Sequence, residues 1–366
     1  MDRLTLGVVG AGTWAIAAHL PAFAARADVE ALIVCRRDPA LLETVRERFG
    51  FARANTDWRE VIAARPDLVV LAGPVSLRAE QARTALEAGC HVLAEKPFTV
   101  TAADAWDLDT RARTAGRVLM LCYAWNEMGI VEVARRLLHE DGGVGRVEHV
   151  SLAMSTVVRD LLLAGRTYAE LDIDSSPRPE TWSDPAVSGG GFGHGQLTHG
   201  LALLFRLLPS RATEVAGLVG RPDGARVEPH DAIAMRLEGG AVGTASGASL
   251  PWGSFANTHQ LQVRVTGDRG QVLLDLDRPL VRRSRGEHDD VTVELSEEDV
   301  TWSFGRVVDR FVDLAAGRTT ENRSPAELGA RVVEVLEAMY RSAESGRPER
   351  VSAGEAGRGE AIRVGR

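Results

Sequence analysis

Apolar and polar residues alternate along the first third of the chain with two different periods. Short apolar runs, typical of buried strands, occupy residues 4–9, 29–35, 68–72, 91–94 and 118–122. Segments with apolar residues at helical spacing lie between them, at residues 14–25, 39–49, 58–64, 77–88 and 102–114. Because strands that alternate with helices form parallel sheets, this pattern predicts a doubly wound Rossmann domain.

Residue types at the ends of these segments agree with the predicted helices. Gly50 and Gly89 stand where a helix commonly ends in a left-handed residue. Asp38 and Asp57 each precede a predicted helix, where a carboxylate can accept hydrogen bonds from the first free N–H groups.

The pattern changes after residue 140. A long strand is predicted at residues 144–154, and a glycine-rich segment that becomes helical follows at 189–208. Successive strands separated by turn residues fill positions 213–283, and helices are predicted at 302–316 and 325–345. Strands in a row followed by helices indicate an α+β domain with a mostly antiparallel open sheet.

Length and charge agree with two domains that act on small molecules. The 366 residues divide into a Rossmann domain at 1–125 and an α+β domain at 126–366, an α/β chain overall. A net charge of −8 argues against nucleic acid as a partner, and no apolar run is long enough to span a membrane. The first strand begins at residue 4, without room for a signal peptide before it, so we expect a cytoplasmic protein.

The cysteines and histidines do not indicate a metal site. Cys35, Cys90 and Cys122 are scattered, and no pair has metal-ligand spacing. His194 and His199 are five residues apart, which is not the spacing of ligands on a helix. We therefore expect three buried cysteines and no metal.

Lys96 is the only lysine among 43 basic residues. Arginine does not easily release a proton, whereas the pKa of a lysine moves on burial. A lysine retained in a chain that otherwise uses arginine is therefore a candidate for chemistry, although chance retention explains the composition equally well.

A glycine motif follows the first strand and opens the first helix. It reads Gly10-Ala11-Gly12-Thr13-Trp14-Ala15, which is the G-x-G-x-x-A pattern of dinucleotide-binding loops. In that pattern the first glycine allows a tight turn, the second lets backbone approach a pyrophosphate, and the small third residue packs helix against strand. We therefore predict cofactor contacts throughout this loop.

The residues after the second strand favour NADP. An acidic residue commonly binds the ribose 2′-hydroxyl there, but this chain has Arg36 and Arg37, followed by Asp38. Two guanidinium groups suit a 2′-phosphate, and Asp38 is better placed to cap the next helix. If Asp38 instead bound the ribose, NAD would be the cofactor.

Several further segments carry a family likeness. Ala94-Glu95-Lys96-Pro97-Phe98 and Ala72-Gly73-Pro74-Val75-Ser76-Leu77 lie at the ends of predicted strands. Others are Gly145-Arg146-Val147, Gly189-Gly190-Gly191 with His199 beyond it, and Arg341-Ser342-Ala343-Glu344-Ser345-Gly346. Over nearly its whole length the chain thus resembles the Gfo/Idh/MocA family, named for glucose–fructose oxidoreductase, inositol dehydrogenase and MocA.

The resemblance implies hydride transfer between nicotinamide and a sugar, cyclitol or keto-sugar. It places Lys96 between cofactor and substrate, where a cation can stabilise developing alkoxide charge. It also implies a homodimer or homotetramer formed through the open sheet. The matching positions add cofactor contacts at Ala72, Gly73, Pro74, Leu77, Glu95 and Lys96.

In the second domain the chain departs from the family pattern. The family has an aspartate four residues before the motif histidine, and this chain has Gly195 there, with His199 intact. Gln196, three residues before His199, would share its helix face. Glutamine holds a hydroxyl but exchanges no proton, so His199, with a pKa expected near neutrality, is the predicted acid/base and Gln196 its neighbour in the cleft.

Substrate contacts are predicted from two regions. Tyr123 and Trp125 follow the fifth predicted strand, at the sheet edge where ligands bind, and Trp125 could stack on a sugar ring. Ala124, between them, stands where the family often has Asn or His. Arg159, Arg166 and Tyr168 lie in the variable region before the glycine run, and we predict them as substrate-loop residues.

Two other functions remain open from the sequence. One is a glycoside hydrolase that holds nicotinamide tightly and uses transient oxidation. The other is a nicotinamide-sensing regulator without catalysis, which the missing aspartate favours. The presence of Lys96 and His199 favours an enzyme, and no basic DNA-binding segment is visible.

Overall fold

The computed structural model describes residues 3–164, 180–254, 259–286 and 289–351. Its first sheet contains β1 (Leu4–Val9), β2 (Val29–Cys35), β3 (Arg53–Asn55), β4 (Leu68–Leu71), β5 (His91–Ala94) and β6 (Leu119–Leu121). The strands are parallel and lie in the order β3-β2-β1-β4-β5-β6. This confirms the predicted Rossmann sheet, whose ligand crevice lies where the order reverses, between β1 and β4.

Helices connect these strands. They are a π-helical turn (Ala15–His19) that continues into α1 (Leu20–Ala24), then α2 (Pro39–Phe49), α3 (Trp58–Ala63), α4 (Val75–Glu87) and α5 (Ala102–Ala115). Asp38 caps α2 by accepting from the N–H groups of Ala40 and Leu41, and Asp57 caps α3. Gly50 and Gly89 end their helices with φ of 70° and 86°, so the predicted end signals are confirmed.

The second sheet is mixed and mostly antiparallel, as predicted. Its strands are β7 (Val147–Thr156), β8 (Ala212–Gly220), β9 (His230–Leu237), β10 (Val242–Ser249), β11 (His259–Gly267), β12 (Gly270–Asp275), β13 (Leu280–Ser284), β14 (Val291–Thr292) and β15 (Glu349–Arg350). They lie in the order β14-β13-β12-β11-β7-β10-β9-β8-β15, and β7 pairs with β10 in parallel. Burial alternates along β9, so one face of the sheet is packed and the other open.

Helices cover the packed face and link the two sheets. In chain order they are a 3₁₀ turn (Ala124–Glu127), α6 (Gly129–His139), α7 (Arg159–Ala164), α8 (Glu180–Ser183), α9 (Pro185–Ser188), a π-helical turn (Gly193–Leu197), α10 (Thr198–Leu207), α11 (Glu297–Val300), α12 (Gly305–Ala315) and α13 (Ala326–Ser345). The long helix α13 packs against α5, α10 and β8, and so contacts both halves of the molecule. Among the described helices, none has the length and apolar character needed to cross a membrane.

Near its C-terminus the chain returns to the first sheet. Phe304 and Phe311 are buried in the same apolar cluster as Leu6, Phe23 and Met120. Helix α12 therefore covers one face of the Rossmann sheet, although it lies far beyond the predicted boundary at residue 125.

Several elements were not predicted, among them β3 and α6. Strand β3 is a short edge strand of mostly polar residues, so it has no apolar run to reveal it. Helix α6 follows the 3₁₀ turn directly and buries Ile130, Val131, Val133, Ala134 and Leu138. The strands of the second sheet therefore begin only after α6, in agreement with the change from alternating strands and helices that was expected after residue 140.

Candidate active site

Residues that follow the central strands meet at the carboxyl edge of the first sheet. Gly10 follows β1, Ala72 follows β4 and Glu95 follows β5, and these strands are neighbours. The Ala72 N–H donates to the Val9 carbonyl and the Glu95 N–H to the Leu71 carbonyl, both at 2.9 Å. The predicted cofactor residues of three separate segments are thus brought together where doubly wound sheets bind ligands.

The glycine loop has the geometry that a dinucleotide requires. Gly10 has a φ of 87°, and a Cβ there would lie 2.4 Å from the Gly73 nitrogen, so only glycine fits. A Cβ on Gly12 would have 3.9 Å to its nearest neighbour, and the space around Gly73 is open. Backbone at both positions is therefore accessible to a pyrophosphate, and the chain fits the predicted cofactor.

The other predicted cofactor residues lie around the accessible backbone of Gly12 and Gly73. Ala11 is fully buried and its N–H donates to the Cys35 carbonyl at 3.0 Å. Thr13 and the half-exposed Trp14 lead into the π-helical turn, and Pro74 and the exposed Leu77 begin the neighbouring helix α4.

Arg36 lies on the glycine loop. Its Nη1 donates to the Ala11 carbonyl at 2.7 Å, while Arg37 is exposed beside it. Burial lowers the pKa of Arg36 somewhat. The carboxylate of Asp38 is already bonded to the N-terminus of α2, as predicted from its position before Pro39.

Lys96 joins the two halves of the site. It follows β5, and its Nζ donates to the Gly195 carbonyl in the second domain at 3.0 Å. The same Nζ lies 5.6 Å from the centroid of the Trp182 ring, which covers the ammonium from one side. Burial lowers the pKa of Lys96, the charge of Glu95 opposes that shift, and Arg78 adds to it.

The Glu95 carboxylate is bonded inside the protein. Its Oε1 lies 2.8 Å from His19 Nε2, and its Oε2 accepts the Lys96 backbone N–H at 3.0 Å. Both oxygens therefore have partners, and the carboxylate supports the lysine. The cofactor contact predicted for Glu95 stays a prediction.

His199 is a half-buried residue in the second-domain part of the site. It lies on α10, with its ring centroid 5.2 Å from that of Trp125 and 6.0 Å from that of Tyr123. Burial, and then the charges of Lys96 and His259, lower its pKa well below 6.5. The near-neutral pKa expected from the sequence is therefore wrong, because the imidazole is held among aromatic rings beside a cation.

Gln196 and the Gly195 carbonyl lie in a π-helical turn rather than in a regular helix. Gln196 is buried. The chain changes from a π-helical to an α-helical period between Gln196 and His199, so a separation of three residues does not place the two on one helix face. Glu228 holds the start of this turn, since its carboxylate accepts the N–H groups of Gly191 and Gly193 and the hydroxyl of Tyr340.

The two aromatic residues predicted to touch substrate have different surroundings. Tyr123 is fully buried and its hydroxyl lies 3.2 Å from Thr198 Oγ1. Its ring packs against that of His199, and the predicted contact with substrate stays a prediction. Trp125 is 9% exposed and its ring lies against the rings of His199 and His259, so it forms part of the pocket wall. Its predicted stacking on a sugar ring stays a prediction.

The remaining predicted substrate residues lie outside this cluster or outside the described residues. Arg159 is placed at the start of α7, where its Nη1 is 3.2 Å from His230 Nε2. Arg166 and Tyr168 fall outside the described residues.

Several residues of the site were missed from the sequence. They are His19, Arg78, Trp182, Glu228 and the pair Trp302 and Phe304, which packs against Trp14. Arg78 is buried, and its Nη2 donates to the Gly73 carbonyl at 2.6 Å while Nη1 contacts the Pro97 carbonyl. Each depends on a contact between distant segments, which no local pattern reveals.

One group of side chains in the described ranges has metal-ligand composition. The ligand atoms of His19, Glu95 and Cys122 lie within 4.8 Å of one another. His19 and Glu95 are hydrogen-bonded directly to each other, however, so the two atoms that an ion would need already have a partner.

Two family models match the chain. Residues 4–123 match a model described as an oxidoreductase family with NAD-binding Rossmann fold, and residues 167–351 match that family's C-terminal alpha/beta domain.

Individual relatives agree with these matches. The chain is 36% identical over 272 residues to dTDP-3,4-didehydro-2,6-dideoxy-alpha-D-glucose 3-reductase of Saccharopolyspora spinosa, covering 74% of each chain. It is 30% identical over 225 residues to 1-carboxy-3-chloro-3,4-dihydroxycyclohexa-1,5-diene dehydrogenase of Comamonas testosteroni, covering 61% of this chain and 52% of the relative, about half its length. A solved structure of levoglucosan dehydrogenase with NADH and levoglucosan has a TM-score of 0.78 at 20% identity, over 96% of this chain and 100% of that one. That likeness supports the fold.

Proposed function

Because this chain belongs to the Gfo/Idh/MocA oxidoreductase family, we propose that it transfers a hydride between nicotinamide and a carbinol or carbonyl carbon of a sugar or cyclitol. The observation that carries this proposal is the position of Lys96. It begins at the cofactor edge of the first sheet and its ammonium reaches the second domain at Gly195. A reacting oxygen bound between the domains would contact that ammonium. The relatives above, which are named as dehydrogenases and reductases of ring compounds, support the same reaction class.

The chain's own residues manage the oxygen and its proton. A bound nicotinamide supplies or accepts the hydride. The Lys96 ammonium donates a hydrogen bond to the reacting oxygen and stabilises alkoxide charge. His199, neutral because of its lowered pKa, accepts the hydroxyl proton during oxidation and returns it during reduction.

The pocket walls around Lys96 favour a ring with apolar C–H faces. Trp125 and Trp182 approach from two sides, and Gly195 contributes only its carbonyl. Aromatic walls pack well on the C–H faces of a sugar or cyclitol, while Gln196 can bind a hydroxyl. We propose Arg159 and Tyr168 as outer substrate contacts.

The reaction is tested by hydride transfer to keto-sugars with NADPH or NADH, followed by absorbance of the reduced cofactor. We expect turnover by the wild type and a loss of roughly 10²-fold or more in kcat for Lys96→Met, with cofactor affinity retained. Substrate-independent binding of nicotinamide without any turnover would instead favour a sensing protein. Cleavage of an aryl glycoside without added cofactor would favour the hydrolase.

We propose NADP as the cofactor. Asp38 is engaged in capping α2, so no carboxylate after β2 is left for a ribose 2′-hydroxyl among these three residues. Arg36 is anchored on the glycine loop and Arg37 is exposed next to it, which suits a 2′-phosphate.

The cofactor preference is tested by fluorescence titration with NADPH and NADH. We expect Arg36→Ala and Arg37→Ala to weaken NADPH binding on the order of tenfold, with little change for NADH. An equal effect of Arg36→Ala on both cofactors would show that this arginine only braces the loop through the Ala11 carbonyl. Tighter NADH binding by the wild type would overturn the NADP assignment.

We also propose a homodimer or homotetramer formed through the open face of the second sheet. Across that face Leu218, Ala232, Ser246 and Ala153 lie side by side on adjacent strands, and all four are outward-facing. Leu218 is 74% exposed at the end of this row of small residues, an apolar side chain that a partner would cover.

The three cysteines are free and buried, which suits the cytoplasm.

A further inference from the structure

A buried histidine–carboxylate pair, His19 and Glu95, lies next to Lys96. His19 and Glu95 are 76 positions apart in the chain, and His19 Nε2 lies 2.8 Å from Glu95 Oε1. His19 is fully buried and Glu95 is 6% exposed. An ionised carboxylate can only accept a hydrogen bond, so the imidazole is the donor. Because buried ionic groups rarely add net stability, the pair calls for a functional explanation.

The second oxygen of the carboxylate acts on Lys96. Glu95 Oε2 accepts the Lys96 backbone N–H at 3.0 Å, and from there the side chain extends to the Gly195 carbonyl. The carboxylate therefore fixes the first atoms of the lysine residue and places a negative charge near its ammonium. Burial alone would raise the pKa of Glu95, but the hydrogen bond and charge of His19, with the charges of Lys96 and Arg78, lower it instead.

The imidazole itself has little freedom to move. It ends the π-helical turn that follows the glycine loop, and the Phe304 ring packs edge-on against it with centroids 4.5 Å apart. His19 is thus held from the cofactor loop on one side and from the segment before α12 on the other.

We propose that His19 is a positioning residue that acts through Glu95 to keep the Lys96 side chain charged and directed at the reacting oxygen. The inference rests on the role proposed above for Lys96. Its experiment requires neither substrate nor cofactor, so it can fail or succeed independently of the proposed reaction.

Other charged and titratable groups around the pair also act on Lys96. The charge of Arg78 on α4 disfavours the protonated form of Lys96, as do His199 of α10 and His259 of β11 when they are protonated. The buried thiol of Cys122, after β6, lies beside Glu95, and the neutral ring of Trp182 faces the ammonium. All of these groups stay unchanged in the variants below.

The single lysine makes a direct measurement available. Growth on lysine labelled with ¹³C at Cε gives one side-chain resonance from the full-length protein, because Lys96 is the only lysine. The pH at which this resonance titrates reports the charge of Lys96 alone. Removing a nearby opposite charge lowers such a midpoint, by roughly one pH unit or more for a close buried pair.

The variants separate the two members of the pair. We expect Glu95→Gln to lower the Lys96 midpoint by roughly one pH unit or more, because the negative charge is lost. His19→Leu should lower it in the same direction, since the carboxylate loses its buried donor and takes up a proton more readily. His19→Gln keeps an N–H donor and should restore most of the wild-type midpoint.

A matched control is His139→Leu, which removes the hydrogen bond from a histidine to the Leu207 carbonyl in the second domain. Its Lys96 midpoint should equal that of the wild type. A wild-type midpoint in folded His19→Leu, with Glu95→Gln shifted, would overturn the role of His19. If His19→Leu does not fold, an unshifted midpoint in Glu95→Gln would overturn the proposal equally.

Discussion

At the scale of single residues, burial and charge act in opposite directions on the groups proposed for chemistry. Lys96 is drawn toward its neutral form by burial and toward its charged form by Glu95. At His199 no acidic residue of the described ranges opposes the shift, so burial and the nearby cation act together on its pKa. The imidazole is therefore ready to accept a proton at neutral pH, while the lysine remains the hydrogen-bond donor.

The pH dependence of oxidation should show both shifts. His199 must be neutral to accept a proton, so kcat/KM rises as pH passes upward through its pKa, and this limb should lie below 6.5. Lys96 must be protonated, so the fall at high pH should lie below 10.5. Steady-state rates across pH for the wild type and for His199→Asn test this. The variant should lose the acid limb and about 10²-fold or more in kcat.

An acid limb at or above 6.5 would contradict the buried position of His199. The control is His230→Asn. His230 is the first residue of β9 and contacts Arg159, and the acid limb of this variant should equal that of the wild type.

Site features that depend on neighbouring residues could be predicted from the sequence, whereas contacts between distant segments could not. The glycine motif, the Asp38 cap and Lys96 all depend on neighbours within a few positions, and the structure brings them to one sheet edge. His19 could not be predicted in the same way, because its partner Glu95 is 76 positions away and the turn that aims it is π-helical. The position of Tyr123 after a strand predicts a substrate contact, whereas its contacts with His199 and Thr198 can be seen only in the folded structure.

At the scale of elements, two π-helical turns stand on either side of the site. One carries His19 and the other presents the Gly195 carbonyl to Lys96. A π-helical turn widens the backbone by one residue and is common at functional sites. The second turn is anchored from below by Glu228, which is 1% exposed and receives hydrogen bonds from Gly191, Gly193 and Tyr340.

Glu228→Gln should therefore affect both stability and turnover. A carboxamide presents an N–H₂ group to donors that need an acceptor, so we expect a loss of about 1–3 kcal/mol in the free energy of unfolding. The displaced Gly195 carbonyl should also reduce kcat several-fold, with NADPH affinity unchanged because the glycine loop lies in the other domain. Thermal unfolding, cofactor titration and kcat measure the three effects.

A buried carboxylate elsewhere provides the control. Glu334 receives hydrogen bonds from Trp106 and Arg211 away from the turn. Glu334→Gln should lose stability of similar size and keep kcat. If kcat fell equally in both variants, the effect of Glu228 would be one of general stability.

At the scale of the whole molecule, helix α12 returns from the second domain to the first sheet and so connects the two halves. Five of the six parallel strands of the first sheet were predictable because each contains a run of mostly apolar residues, whereas the short and mostly polar β3 was not. The packing of α12 on that sheet was not, since an amphipathic helix indicates that one face is buried but not which partner covers it.

Replacing Leu218 by glutamate should weaken assembly. A charge at the end of this row of small residues costs desolvation energy when a partner covers it, and costs nothing when the face is free. We expect light scattering to show a smaller species for Leu218→Glu than for the wild type. Thr44→Glu, which adds the same charge to an exposed position of α2 in the first domain, serves as the control, and a monomeric wild type would contradict the proposed oligomer.

The position of α12 also dictates the order in which this chain can fold during synthesis. The strands β1 to β6 are complete by residue 121, yet the apolar cluster that contains Leu6, Phe23 and Met120 is completed only when Phe304 and Phe311 have been synthesised. At a translation rate of about 5–20 residues per second, part of that cluster stays uncovered for roughly 10–40 s. We therefore expect a chain truncated before α12 to aggregate instead of yielding a free cofactor-binding domain.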